Sequence, residues 1–352
     1  MKNTIVASLV TLILAPLAGA QCVGDIAVDG RVDGGDLGVL LANWGPVTST
    51  ALSQACDLDG NGVVNGGDLG LLLANWGACP APTWATILEF QPDPAAVTDP
   101  DLRAAIQSTG LPWRVRDRDS GIEMLLIPPG TFQMGCIMGS NQYECDSWEQ
   151  PVHPVTLTNA FYMGRYEVTQ AQWQAKMGSN PSYYQPPIYT LDTNRPVEYI
   201  SWDIIQDFNS ATGLRLPTEA EWEYAYRAGT TTAFHSYPAQ PTGFNDDTLL
   251  GNIAWFYGNA ESQTHTVGGK LANGLGLHDM AGNVYEWCQD WWYGSYSSGS
   301  VTNPTGPATG SYRVMRGGSL SYVPGGCRGS KRLFNYPPSG FDNVGFRVVR
   351  NP

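Results

Sequence analysis

Apolar and polar positions in this chain alternate in short bursts, and few of them are long enough for a helix. Two of the longest are near copies: DLGVLLANWGP at 36–46 returns 32 residues later as DLGLLLANWGA at 68–78. Each reads as one helix, and self-similarity at a fixed period marks repeated supersecondary units. Three more helices are predicted from their caps. VTQAQWQAKMG starts at Thr169 with Gln172 as reciprocal partner and stops at Gly178; SWDIIQDFNSATG starts at Ser201 and stops at Gly213. PTEAEWEYAYRAG starts at Thr218, with Glu221 reaching back, and stops at Gly229. A short helix is expected at 99–108. EMLLIPPGTFQMG reads as a strand, a Pro-Pro-Gly turn and a second strand, and GFRVV (345–349) as a short closing strand.

The rest is loop. The 352 residues include 41 Gly and 25 Pro, and only 14% are charged, which suggests a fold of short elements and not a helical bundle. The length accommodates one large domain and one small one. A formal net charge of −13 argues against nucleic acid and anionic membranes as partners.

The start of the chain carries a lysine, an apolar run and Ala18-Gly19-Ala20, which reads as a secretory signal over 1–20 cut before Gln21. That run is too short for a membrane span, and no later segment offers one. Gln21 in front of Cys22 argues against a lipid anchor. The expected location is therefore secreted, periplasmic or cell-surface. All seven cysteines (22, 56, 79, 136, 145, 288, 327) lie beyond the cut in a compartment that permits disulfides, and the odd count leaves one over.

Each repeated helix follows an acidic, Gly-rich stretch. In DLDGNGVVNGGD (57–68), oxygen side chains fall at loop positions 1, 3, 5, 9 and 12 as Asp57, Asp59, Asn61, Asn65 and Asp68. Gly62 stands where such a loop turns sharply, and Val63 offers a carbonyl. This is an EF-hand-type calcium loop with the shorter Asp at position 12. The first copy keeps Asp25, Asp29, Gly30, Asp33 and Asp36 but has Ala27 at position 3, so weaker binding is expected. Tandem loops with one helix each resemble a dockerin module, over roughly 21–79. The resemblance implies calcium-dependent folding and a cohesin-like partner. The positions often used for recognition hold Gly34-Gly35 and Gly66-Gly67, so a calcium-stabilised spacer is an equal alternative.

Residues 80–120 read as a Pro-containing linker, and a second domain is expected over 121–352. There IPPGTFQMG, YEVTQAQW, RLPTEAEWEYA, NGLGLHDMAGNVYEW, RGGS and VGFRVV follow in fixed order. Together they resemble the formylglycine-generating enzyme, or sulfatase-modifying factor, family. The resemblance implies a mixed α/β, C-type-lectin-like fold with little regular secondary structure. It also implies calcium at Asp279, Gly282, Val284 and Glu286, whose hard oxygens from a tight loop suit that ion. A second family calcium site begins at Asn252-Ile253, but its later half has no counterpart here. Glu219, Glu221 and Glu223 look like paired acids; the helix cap accounts for Glu221 and an exposed helical face for the others. The histidines (153, 235, 265, 278) are scattered and read as loop or core residues.

Active family members bind Cu(I) between two cysteines, three and eight residues after the serine of the G-G-S phrase, and oxidise a cysteine in C-x-P-x-R to formylglycine. Counted from Ser319, these positions are Tyr322 and Cys327. A phenol is hard and protonated at neutral pH, so it cannot replace a soft thiolate. This argues against copper and leaves Ser319 and Cys327 as remnants of the oxidase site. Two functions follow: a binding or scaffold domain without oxidase activity, with a peptide or protein ligand held by the loops after RGGS, or an active oxidase. An iron enzyme would need a histidine–carboxylate triad, and none is seen. The resemblance brings YEWCQDWW close to RGGS, so a Cys288–Cys327 disulfide is expected, and Cys136–Cys145 would span a short loop.

Overall fold

The structure, a computed structural model, describes residues 24–27, 31–78, 82–137 and 143–352. The expected signal segment and Cys22, Asp29, Gly30 and Cys79 lie outside the described residues.

The repeats form a small module of three helices, α1 (Gly34–Ala42), α2 (Ala51–Cys56) and α3 (Gly66–Ala74). Asp33 caps α1 and Asn65 caps α3. In each case the third helical residue, Asp36 or Asp68, returns a bond to the cap and completes a capping box. Strand Arg31–Val32 pairs with Gly77–Ala78, and Gly45–Pro46 pairs with Val63–Val64. Each loop is thus tied to the chain leaving the other repeat's helix. Ile26, Val32, Leu40, Cys56, Val64 and Leu72 are buried together as its core. The sequence reading gave one helix per loop and missed α2, whose six residues are too short to show a period.

The larger domain begins earlier than expected. Ala85–Glu89 is an edge strand of a five-stranded antiparallel sheet and Arg114–Asp117 its inner neighbour, so most of the expected linker at 80–120 belongs to this domain. The sheet continues through Glu123–Ile127, Phe161–Gly164 and Val349–Arg350. Between Ala85–Glu89 and Arg114–Asp117 the chain forms α4 (Pro100–Gln107), capped by Asp99. Buried Ala85, Val97, Ile106 and Val115 anchor the segment; prolines and short strands hid it from sequence.

A second sheet runs Leu333–Asn335, Arg313–Arg316, Tyr285–Trp291, Val344–Gly345. A third joins Val301–Thr302, His153–Leu157 and Gly130–Met134, so the two strands around Pro-Pro-Gly enter different sheets. The expected closing strand is split: Val344–Gly345 and Val349–Arg350 pair in different sheets, with Phe346, Arg347 and Val348 buried at the crossing. Helices α5 (Gln170–Met177), α6 (Trp202–Thr212) and α7 (Glu219–Arg227) carry the expected caps. Helix α7 ends in left-handed Ala228 (φ 45°), one residue before Gly229.

Two expectations fail in this domain. Glu219 and Glu223 are buried, not exposed: Glu219 accepts from Arg332 Nε at 2.6 Å, and Glu223 pairs with Arg227 at 2.7 Å and with Arg316. Cys136 and Cys145 are bridged, but Cys288 and Cys327 are buried free thiols, so the expected 288–327 disulfide is absent. Cys327 sits against Tyr285, whose hydroxyl burial and the Cys327 sulfur both push up in pKa. Cys288 stands three residues further along that strand, and alternation sends the two side chains to opposite faces.

Candidate functional site

The RGGS segment leaves the strand Arg313–Arg316 through two left-handed glycines, Gly317 (φ 96°) and Gly318 (φ 79°). A Cβ on Gly318 would stand 2.7 Å from Cys327 Sγ, so this glycine lets the backbone lie directly on the thiol. Cys327 is fully buried, and burial pushes its thiol up to about 12. Its carbonyl accepts from the Tyr226 hydroxyl at 2.7 Å. Tyr322 lies edge-on to Tyr285 at 4.9 Å and takes part in packing. Ser319 Oγ is shared with Ser321 Oγ at 3.2 Å and Asn343 Nδ2 at 3.4 Å. A buried, protonated thiol with a phenol where the second sulfur would stand does not fit a two-thiolate Cu(I) site.

The loop 279–286 is built around buried charge. Gly282 (φ 81°) is obligatory, because a Cβ there would meet the Trp255 carbonyl oxygen at 2.2 Å. Asp279 Oδ2 accepts from Gly268 N at 2.6 Å, while its buried Oδ1 has no partner. Burial, and after it neighbouring Glu286, lifts the Asp279 carboxyl to about 6. Glu167 accepts from Asn283 Nδ2 at 2.7 Å and Val284 N at 3.1 Å, and burial raises it well above the carboxylate range. Glu286 is saturated: Arg347 Nε and Nη2 and Trp222 Nε1 all donate to it at 2.7 Å. Three carboxylates thus share one arginine. The excess negative charge and the orphaned Asp279 oxygen suit a cation held by Asp279 with the carbonyls of Gly282 and Val284. Glu286 does not fit as a ligand.

Beside Asn252 and Ile253 the chain places its own cation. Lys270 Nζ donates to the Gly251 carbonyl at 2.6 Å and lies 3.8 Å from the centre of the Trp255 ring. Leu271 N occupies the Asn252 carbonyl at 2.9 Å. This corner does not fit a divalent ion.

In the N-terminal module, Asp57, Asp59 and Asp68 bring carboxylate oxygens within 4.8 Å of one another. Asp57 accepts from Asn61 N at 3.0 Å and Gly62 N at 2.9 Å; Asp68 accepts from Leu58 N at 2.7 Å and Asn65 N at 2.8 Å. Asn61 Oδ1 accepts from Val63 N at 2.9 Å, and Asn65 Nδ2 donates to Val63 O at 2.8 Å. Among the described residues no Lys or Arg pairs with these three carboxylates. The donor set is hard, oxygen-only and preformed, which suits calcium. In the first loop Asp36 accepts from Ala27 N and Asp33 N, each at 2.8 Å, Asp33 accepts from Gly35 N, and Asp25 is half-buried.

Glu167, in YEVTQAQW, and Arg347, in VGFRVV, are functional residues that their sequence context does not single out. Lone charged residues in loops and crossings carry no periodic signal.

The model of the sulfatase-modifying factor enzyme 1-like domain matches residues 112–352. The formylglycine-generating enzyme of Streptomyces coelicolor is 31% identical over 314 residues, covering 74% of this chain and 95% of that enzyme. The serine/threonine-protein kinase pkn1 of Chlamydia pneumoniae is 33% identical over 252 residues, 65% of this chain; the match spans 38% of the kinase. Among solved structures, Treponema denticola variable protein 1 superposes with a TM-score of 0.56 at 31% identity, over 66% of this chain and 95% of that one. PvdO from Pseudomonas aeruginosa gives 0.56 at 26% identity, over 68% and 98%. The fold is the C-type-lectin-like fold of this family.

Proposed function

This chain belongs to the sulfatase-modifying factor family, and from that premise we propose that it is a secreted binding or scaffold protein without oxidase activity. One observation carries the reading: Tyr322 stands where a thiolate would be needed, and Cys327 is sealed and protonated beneath Gly318. Catalysis by a copper thiolate needs an accessible, ionised sulfur. The surface above Cys327 offers Ser, Tyr and Asn side chains, the composition of adaptable recognition surfaces. Its ligand is a peptide or protein. The N-terminal repeats are a dockerin-like, calcium-holding module that ties the binding domain to a cohesin-like partner. A second calcium at Asp279 stiffens the loop beside the binding face.

Incubating the full-length protein with Cu(I), oxygen and a C-x-P-x-R peptide tests this, with aldehyde read by mass spectrometry. No aldehyde is expected from the natural chain. Formation of formylglycine would establish the alternative, an active oxidase, which the likeness to the Streptomyces enzyme favours.

A further inference from the structure

The second sheet carries a strip of aromatic rings at the end away from Cys327. Tyr285, against Cys327, opens the strand Tyr285–Trp291, and Trp292 follows its close, roughly 20 Å further on at the usual rise per residue. From Trp148 the rings run through Trp292, Phe334 and Tyr312 to Tyr336, with successive centroids 6.2, 4.5, 5.2 and 6.1 Å apart. Trp292 is half-buried, and the other four are 37–54% exposed. Single exposed rings are ordinary; five in contact mark a surface that something covers.

The strip is braced from beneath. The buried Arg332 guanidinium lies 4.4 Å from the centre of the Trp292 ring and is fixed by Glu219 at 2.6 and 2.8 Å. Its Nη1 donates to Trp148 O at 2.7 Å, which ties the first two rings together. Trp292 N donates to Tyr312 O at 2.7 Å, and Phe334 lies opposite Val314 on the edge strand. Backbones held this way give up little freedom when a ligand settles on the rings.

In a chain of net charge −13, the segments that build the strip are uncharged. Residues 292–312 and 333–341 contain no Asp, Glu, Lys, Arg or His. Nearby, Lys331 is paired with Asp146 and Arg332 with Glu219, while Asp203, bonded through its amide to Pro337 O, lies within electrostatic reach of Arg313. Stacked nucleobases call for a cationic groove, and these segments supply no cation. Charge also commonly sets the register of a protein partner, and the strip has none to offer. A neutral sugar chain needs neither. The C–H groups on the face of a pyranose carry partial positive charge and settle on the negative face of an aromatic ring. Ser311 and Asn335, beside Tyr312 and Phe334 in the chain, offer hydroxyl and amide partners for its hydroxyls.

We propose that this strip binds a neutral, extended β-linked glycan, stacking successive pyranose faces on Trp148, Phe334, Tyr312 and Tyr336. Chains of this kind hold their hydroxyls equatorial and so present unbroken C–H faces, and their sugar repeat is comparable to the ring spacing here. The site is additional to the peptide or protein ligand proposed above, and it stands whether or not Cys327 is catalytic.

The test is calorimetry on the full-length protein with cellohexaose, xylohexaose and a C6-oxidised cellohexaose that carries a carboxylate on each sugar. Cellohexaose or xylohexaose should bind, and the oxidised chain should bind at least about tenfold more weakly than its neutral parent. Trp148→Ala and Tyr336→Ala should each weaken the neutral sugar about fivefold, and the double variant should abolish measurable binding. Tyr257→Ala, which removes a ring 72% exposed outside the strip, should change nothing. Absence of binding by both neutral sugars at millimolar concentration overturns the proposal, as does unchanged affinity in the double variant. Equal affinity for the oxidised chain overturns it too, because charge would then not select the ligand. Capture of a protein through these rings, with neither sugar bound, would make the strip a protein-docking surface instead. Aldehyde formation in the peptide assay would leave each of these outcomes as it is, so the two readings fail separately.

Discussion

In the N-terminal repeats, Asp57, Asp59 and Asp68 crowd their oxygens within 4.8 Å, and no Lys or Arg among the described residues pairs with them. In the C-terminal domain Glu149, Glu219, Glu223 and Glu286 are buried, and each meets at least one arginine. Both regions cluster carboxylates, but these three in the repeats have no arginine of their own, although Arg31 lies 3.8 Å from Asp33 in the first loop. The physical reason is depth. Asp57 and Asp59 keep contact with water, which moderates their repulsion and leaves room for a dissolved ion. A carboxylate at zero exposure has no such relief and must be paired or hydrogen-bonded: Asp68 leans on the amides of Leu58, Asp59 and Asn65, and the four glutamates lean on arginines. The repeats' small core adds to the contrast, because little apolar burial is available to offset repulsion, and small modules commonly depend on a bound metal.

The comparison breaks most directly at Arg347. Arg347→Met leaves Glu286 buried and unpaired, and should destabilise the C-terminal domain by about 3–5 kcal/mol. Glu286→Gln should cost somewhat less. Both losses should be the same in calcium and in chelator, measured by thermal melting. A loss that vanishes in chelator would return Glu286 to the calcium ligands and erase the distinction between the two regions.

Glu198 is the next largest effect, because it is a buried carboxylate without an arginine. Burial lifts its folded-state value to about 7, above that of the unfolded chain. Its contribution is therefore fully present below the unfolded value, near 4.3, and is lost as pH rises through 7. Stability should fall by up to roughly 3 kcal/mol over that window and level off above it. Glu198→Gln should flatten this slope in urea titrations at a series of pH values. An unchanged slope would show that Glu198 does not ionise there.

The repeats should respond oppositely to the arginine-paired interior. Calcium at a hundredfold excess over its Kd should stabilise the module by about 2.7 kcal/mol. Asp57→Ala and Asp68→Ala should each remove most of that gain, and Asp25→Ala much less, since its loop lacks a ligand at Ala27. Calcium titration of the full-length protein, followed by calorimetry, checks this. No uptake would remove the dockerin-like reading.

The smallest effect concerns thiols. Native protein should leave Cys56, Cys288 and Cys327 unmodified by an alkylating reagent, and brief unfolding should expose all three to it. Recovery of a 288–327 disulfide peptide would contradict the packing of those residues on opposite faces of one strand.

Local signals were legible in the sequence wherever the cause was local. The caps at Thr169, Ser201 and Thr218 each sit within three residues of the groups they satisfy, and all three helices begin there. The repeated loops were legible for the same reason, since Asp57 through Asp68 fold onto their own backbone amides. Tyr322 in place of a thiolate was plain once the family resemblance supplied the positions to count from Ser319. What tertiary structure decided involves residues far apart in the chain. Arg347 reaches Glu286 across the sheet crossing, Arg332 reaches Glu219, and Tyr199 is held by Phe341. Ala85–Glu89 and Arg114–Asp117 became sheet by pairing with each other and, through Arg114–Asp117, with Glu123–Ile127, and not by their own pattern. A sequence fixes what a residue can offer within a few neighbours. Whether a carboxylate meets an arginine, a metal or only water depends on burial and long-range pairing, and the completed fold sets both.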